Sequence, residues 1–366
     1  MRSLFFVGGC NRALPYFPTA NGAGIASFWI DSASGECSAG PVSDGGDNPT
    51  FVAFRRERQI LCATTEVPDR TRGTVSAYKV DPGSGELALI NRQPTHGDTA
   101  AQVSFDRTGR FAAVANYSGV PANDDSGCSV AVYRVGADGS LGDMVASARH
   151  EGSGPHPERQ TQPHPHSVRW SPDNRFMVVA DLGIDRLMVY RFEAATGAIS
   201  LHRRFALPAG SGPRDVTFHP ELPFAYVPLE LSSHLASVAF DARSGDFRLL
   251  HVEVTVAATG EPRNACSAAK LAPDGRRVFV GNRGDDSIAR LGIDLATGIA
   301  RLEKTYPSGG RTPRDFAFDP SGRLMVVTNQ DSDRLSVFHY DADSGELSPL
   351  GTGVACGTPT AIAFAG

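Results

Sequence analysis

PHSVRWSPDNRFMVVADLGIDRLMVYRF, running from Pro165 to Phe192, reads as three strands in succession. The first six residues alternate polar and apolar, as a strand with two different faces does. SPDNR follows with the Pro-Asp-Asn chemistry of a tight turn. FMVVA is apolar at every position, so that strand is buried on both sides. A polar loop leads into RLMVYRF, which alternates again. ATGAI then turns the chain into a fourth strand.

The same order recurs in PRDVTFHPELPFAYVPLELSSHLASVAF from Pro213, CSAAKLAPDGRRVFVGNRGDDSIARLGI from Cys266 and PRDFAFDPSGRLMVVTNQDSDRLSVFHY from Pro313. The starts are 48, 53 and 47 residues apart, and weaker copies begin near Asn48 and Ala101. Four strands per fifty residues, the second buried on both faces, describe a propeller blade. GTPTAIAFAG at the C-terminus reads as a first strand, LFFVGGC at the N-terminus as a second and GIASFWID as a third. One blade is thus stitched from both ends and leaves no free sheet edge. The expectation is an all-β, seven-bladed propeller of four-stranded antiparallel blades, one domain over residues 1–366.

Composition limits the partners. The 366 residues carry a net charge of −5 with no basic run, which argues against nucleic acid. No apolar stretch is long enough to span a membrane, and Leu4–Val7 is too short for a signal sequence. A cytoplasmic monomer is expected. The six cysteines show neither CxxC nor zinc spacing, so free thiols are expected. No metal is expected, because His164 and His166 find no third ligand, and no cofactor is expected either.

The repeat also says which residues share a face. The loop leading into each first strand and the loop after each second strand lie at the same end. The leading loops hold His164, His166, Arg214, Asn264 and Arg314. The others hold Glu66, Asn116 with Tyr117, Asp181, Glu230, Arg283, and Asn329 with Gln330. Arg214 and Glu230, Ser267 and Arg283, and Arg314 and Gln330 are sixteen residues apart, and His166 and Asp181 fifteen. All therefore converge on one mouth of the central channel. Arginines, histidine and carboxylate together suit a small anion and proton transfer. For Asn116, Asp181, Asn329 and Gln330 the favoured reading is structural, polar groups that hold blades together through buried hydrogen bonds. Asp215 is expected to brace its blade, and His219 to lie exposed in a turn. His150 to Pro163, the longest irregular stretch, is a candidate functional loop.

PHPHSVRWSPDNR, GPRDVTFHP with YVPLEL, GNRGDDSI and PRDFAFDPSGR resemble the propeller lactonases. That family includes bacterial propeller-type 6-phosphogluconolactonases and the fungal carboxymuconate-lactonizing enzyme. The resemblance runs from LFFVGG to TAIAFA and implies a catalytic set of His166, Arg214, Glu230 and Arg283. GPHPERQ, with Arg159 and Gln160, is similar to the family's loop before His-x-His and is expected over the pocket. With His164, Asn116, Arg314 and Glu66, these two make up the expected substrate-binding set.

Two residues depart from the family pattern. Asp215 stands where a histidine is common, and Leu229 where an asparagine is common. An apolar Leu229 points to a less hydroxylated ring, as in a muconolactone. The resemblance implies hydrolysis of a small anionic sugar lactone, 6-phosphogluconolactone-like, without a cofactor. The alternatives are a carboxymuconate cycloisomerase and a propeller that binds a ligand or protein and catalyses nothing.

Overall fold

The computed structural model describes residues 2–14, 17, 19–68, 73–118, 127–256 and 264–365. Seven antiparallel sheets follow one another along the chain. In the third blade the strands are Pro165–Trp170, Phe176–Asp181, Arg186–Phe192 and Ile199–Ala206, hydrogen-bonded in that order. The turn between third and fourth strands repeats with fixed chemistry. In the first blade Asp81 Oδ1 accepts from the backbone N–H of Gly83 and Ser84 at 2.8 and 2.9 Å. Gly85 then takes φ +74°, a conformation that glycine adopts without steric cost.

The buried apolar residues fall into seven clusters, one between each pair of neighbouring blades. FMVVA shows how. Met177 and Val179 pack towards the second blade, while Phe176, Val178 and Ala180 pack towards the fourth. A strand buried on both faces must be apolar at every position, which is the pattern that marks the second strand of each repeat.

The ring closes as the ends of the sequence imply. Strand Pro359–Phe364 pairs with Arg2–Gly9, which pairs with Ile25–Asp31. Thr360 Oγ1 donates to the carbonyls of Gly8 and Thr50, fastening this blade to the first. No described helix is long and apolar enough to cross a membrane. All six cysteines are free, four of them buried. His219 is a correction: it is 4% exposed, not exposed in its turn. Its Nδ1 accepts from the N–H of Glu221 and Leu222, and its Nε2 lies 3.1 Å from the Gly275 carbonyl oxygen.

Candidate active site

Backbone pairing sets the site. Pro213 bridges Leu229, Pro165 pairs with Asp181, and Pro313 pairs with Asn329. In the fourth and sixth blades the residue after the proline meets the residue after its partner, Arg214 Nε lying 3.2 Å from Glu230 and Arg314 donating to Gln330. Arg214 N–H donates to the Pro228 carbonyl at 2.9 Å, and Glu230 N–H to that of Gly212 at 2.8 Å. In the third and sixth blades the register shifts between Pro165 and Ser167 and between Pro313 and Asp315. The residues at those bulges are His166 and Arg314. A bulge breaks strict alternation and re-aims one side chain, here into the channel.

Glu230 is the hub. Arg159 Nη2 donates to its Oε1 at 2.7 Å. Arg283 Nη2 lies 2.7 Å and Arg214 Nε 3.2 Å from its Oε2. His166 Nε2 is 4.0 Å from the same oxygen. Yet among the described residues Oε2 finds no well-directed hydrogen-bond donor, and the buried Nε groups of Arg214 and Arg283 find no acceptor. Their hydrogen-bonding capacity is unspent at the mouth. Arg159 arrives from the long loop after the second blade, and its Nη2 also meets Tyr117 Oη at 2.9 Å.

These charges fix the protonation states. Burial alone would raise the Glu230 carboxyl, but the guanidinium charges of Arg283, Arg159 and Arg214 outweigh it and hold it well below the usual carboxylate range. Burial and the Arg214 charge push His166 well below the usual imidazole value, against the pull of Glu230. Burial and the Arg283 charge lower Arg214 to about 10, so it stays cationic at neutral pH. Glu230 is thus a carboxylate and His166 a neutral imidazole. Neither ring nitrogen of His166 hydrogen-bonds a described residue, and its side chain is 14% exposed.

The two histidines differ. His164 Nδ1 is 2.8 Å from the Tyr117 carbonyl oxygen, and its ring stacks on Tyr117 at 4.4 Å. The same Tyr117 ring meets His166 edge-on at 5.4 Å. His164 therefore orders the wall behind His166.

Opposite Glu230, across His166 and Arg214, sits a second group. Glu66 accepts a very short hydrogen bond from Thr50 Oγ1, and Arg314 Nη2 lies 3.5 Å from its Oε2. Arg314 also donates to Gln330 Oε1 at 3.1 Å and rests 4.6 Å above the Phe17 ring. Thr50, Glu66, His166, Arg214 and Arg314 line one pocket. Its floor is made of two ion pairs, Arg169–Asp215 at 2.6 Å and Lys270–Asp315 at 3.1 Å.

Two predicted substrate-binding residues lie elsewhere. Asn116 is fully buried, and its Nδ2 donates to the carbonyls of Thr95 and Cys128. Gln160 is also fully buried. Its Nε2 donates to Leu182 O and Asp185 Oδ1, and its Oε1 accepts from His156 N–H. Both shape the loops around the mouth. Leu229 points into the core between the third and fourth blades at 0% exposure, so it cannot select a ring in the pocket. Tyr117 is expected at the mouth but without a role, and Thr50 is absent from the expected set. Thr50 had a signal, since it stands sixteen residues before Glu66 as Arg214 stands sixteen before Glu230.

Known proteins share this framework. The family model described as Lactonase, 7-bladed beta-propeller, matches residues 5–364. The 6-phosphogluconolactonase of Bacillus subtilis is 34% identical over 341 residues, covering 93% of this chain and 94% of that protein. The 6-phosphogluconolactonase of Formosa agariphila is 29% identical over 90% of this chain and 92% of its own length. Among solved structures, the periplasmic gluconolactonase of Pseudomonas aeruginosa superposes with a TM-score of 0.89 at 34% identity, covering 100% of this chain and 99% of its own. With a match that begins in the N-terminal strand of the closing blade and ends in its C-terminal strand, this chain belongs to the lactonase family of seven-bladed β-propellers.

Proposed function

We propose that this protein hydrolyses a small anionic sugar lactone of the 6-phosphogluconolactone kind at the channel mouth. The observation that carries this is the charge inventory. Among the described residues Arg159, Arg214, Arg283 and Arg314 form ion pairs with Glu230 and Glu66 alone, while the two ion pairs below are self-compensating. An excess of two positive charges in a largely buried pocket favours an anion.

His166 is the base in this reading. Glu230, ringed by guanidinium groups that hold it well below the usual carboxylate range, is the weaker proton acceptor. Neither nitrogen of the neutral imidazole hydrogen-bonds a described residue, and the ring lines the pocket. Water oxygen attacks the lactone carbonyl carbon while His166 takes its proton. The carbonyl oxygen becomes an oxyanion within reach of the unspent Nε–H groups of Arg214 and Arg283. Glu230 steadies the imidazolium from 4.0 Å. The tetrahedral intermediate then expels the ring oxygen, which takes the proton back from His166. The product is the hydroxy acid. Arg159, 41% exposed at the rim, is placed to hold the distal acid group.

The relatives named above support the sugar-lactone assignment, being 6-phosphogluconolactonases and a gluconolactonase by name. A pH-stat panel of 6-phosphogluconolactone, gluconolactone and a carboxymuconolactone, corrected for spontaneous opening, tests it. Opening of a sugar lactone with preference for the phosphorylated one is expected. No rate above background on any of them would refute the proposal. The same proposal takes residues 1–366 as one domain and the protein as a cytoplasmic monomer, points that size-exclusion chromatography and cell fractionation check.

A further inference from the structure

We infer that Glu66 and Thr50 form a hydroxyl-reading subsite, and that this subsite sets the substrate class as polyhydroxylated lactones. The inference rests on the lactonase reading above and adds a specificity role to it. The two carboxylates at the mouth differ in what they have left to give. Glu230 has cations on both oxygens. Glu66 is 5% exposed, yet only its Oε2 is engaged, by the Thr50 hydroxyl and by Arg314 at 3.5 Å. Its Oε1 accepts no hydrogen bond from any described residue and belongs to a side chain lining the pocket shared with His166 and Arg214.

An ionised carboxylate oxygen facing a pocket accepts hydrogen bonds and donates none. It attracts O–H groups and repels anions. A phosphate or carboxylate of the substrate therefore lies away from Glu66, on the Arg159 side. What approaches Glu66 is a hydroxyl, with the Arg314 guanidinium alongside as a donor. Glu66 cannot swing away easily. Thr50 Oγ1 fixes its head, and Glu66 N–H donates to the Asn48 carbonyl at 2.9 Å. Asn48 Oδ1 in turn accepts from the N–H of Asn11 and Arg12, tying this corner to the closing blade. A muconolactone, rich in carboxylate and poor in hydroxyl, would set negative charge against Oε1. The geometry thus separates sugar lactones from muconolactones, where Leu229 does not.

The test uses two neutral lactones with the same six-membered ring, gluconolactone and δ-valerolactone. Their difference isolates hydroxyl reading from recognition of the acid group. The readout is the ratio of kcat/KM values, gluconolactone over δ-valerolactone. Glu66→Gln keeps the shape and the Thr50 bond but removes the charge. The ratio is expected to fall about 10- to 100-fold, the worth of a charge-assisted hydrogen bond. Thr50→Val frees the carboxylate head and should lower the ratio in the same direction. Calorimetric binding of gluconate against 5-hydroxypentanoate gives a second readout, free of turnover, and its ratio should contract in both variants. A ratio that stays at the wild-type value in folded Glu66→Gln, by either readout, overturns the inference. Failure of the wild type to open any lactone would instead count against the lactonase reading, and the binding ratio would still judge the subsite.

Discussion

Replacing Glu230 by glutamine removes the one anion that holds three guanidinium groups together. Its side chain is 4% exposed, with Arg214 at 10% and Arg283 at 18%. Removing one member of a buried ionic cluster costs about 3–5 kcal/mol, because the remaining charges stay buried and uncompensated. Arg159 is 41% exposed, so its share is screened and the lower figure applies. Unfolding entropy near 2.1 cal/mol/K per residue converts about 3 kcal/mol into a fall of roughly 4 °C in Tm for a chain of this size. Inorganic phosphate should then occupy the place of the lost carboxylate. At one hundred times its Kd it restores about 2.7 kcal/mol, or roughly 3.5 °C. Wild type should respond less, since Glu230 already engages the arginines.

The pH dependence has a definite sign. The folded-state Glu230 carboxyl lies below its unfolded value of about 4.3, so its stabilisation is complete above that pH and is lost as pH falls below it. The Tm gap between wild type and variant should therefore be full at pH 7 and close in acid. Scanning calorimetry at fixed ionic strength, with phosphate exchanged for chloride, measures all three effects. A Glu230→Gln protein as stable as wild type at pH 7, with no larger response to phosphate, would refute the view that Glu230 compensates a buried anion site.

Other perturbations probe the surrounding parts. His166 is kept neutral by burial and Arg214, so unfolding takes up a proton below pH about 6.5 and wild-type stability declines from there downwards; His166→Asn should flatten that decline in urea midpoints compared at pH 7.5 and 5. Arg169→Met strands the buried Asp215, whose carboxyl Arg169 holds low against the effect of burial, and should cost about 3 kcal/mol in urea unfolding. Adding Asp215→Asn to it should recover most of that loss. In Gly183→Ala the new Cβ would lie 2.0 Å from the Gln162 carbonyl oxygen and 2.7 Å from His164 N, so the His164–His166 segment must shift. A displacement near 1 Å lowers kcat/KM by about 100-fold, which initial rates on the preferred lactone would show.

The blades were legible because burial on two faces leaves an unmistakable apolar strand, and FMVVA divides its side chains between two neighbouring cores as that pattern demands. The mouth was legible because a fixed offset between paired strand ends survives in sequence, bringing Arg214 to Glu230 and Arg314 to Gln330. Side-chain direction was harder to read. Leu229 and Glu230 are adjacent in sequence, yet one fills the core and the other the pocket. Asn116 and Gln160 reach the right end of the ring but spend their amides on backbone carbonyls and loop partners, a choice that depends on loop path. Arg159 could be placed over the pocket only through family resemblance, since no strand register governs the loop that carries it. His219 was misjudged because turns on the far side of a propeller can still be covered by the next blade, here by Gly275.

The most direct test of the central claim is the initial rate of 6-phosphogluconolactone opening by wild type and His166→Asn at pH 7, with folding of both confirmed by calorimetry. Wild type should open the lactone well above the spontaneous rate. The variant should lose about 100-fold or more in kcat, the usual contribution of a positioned base. A folded His166→Asn protein that opens the lactone as fast as wild type would contradict the account.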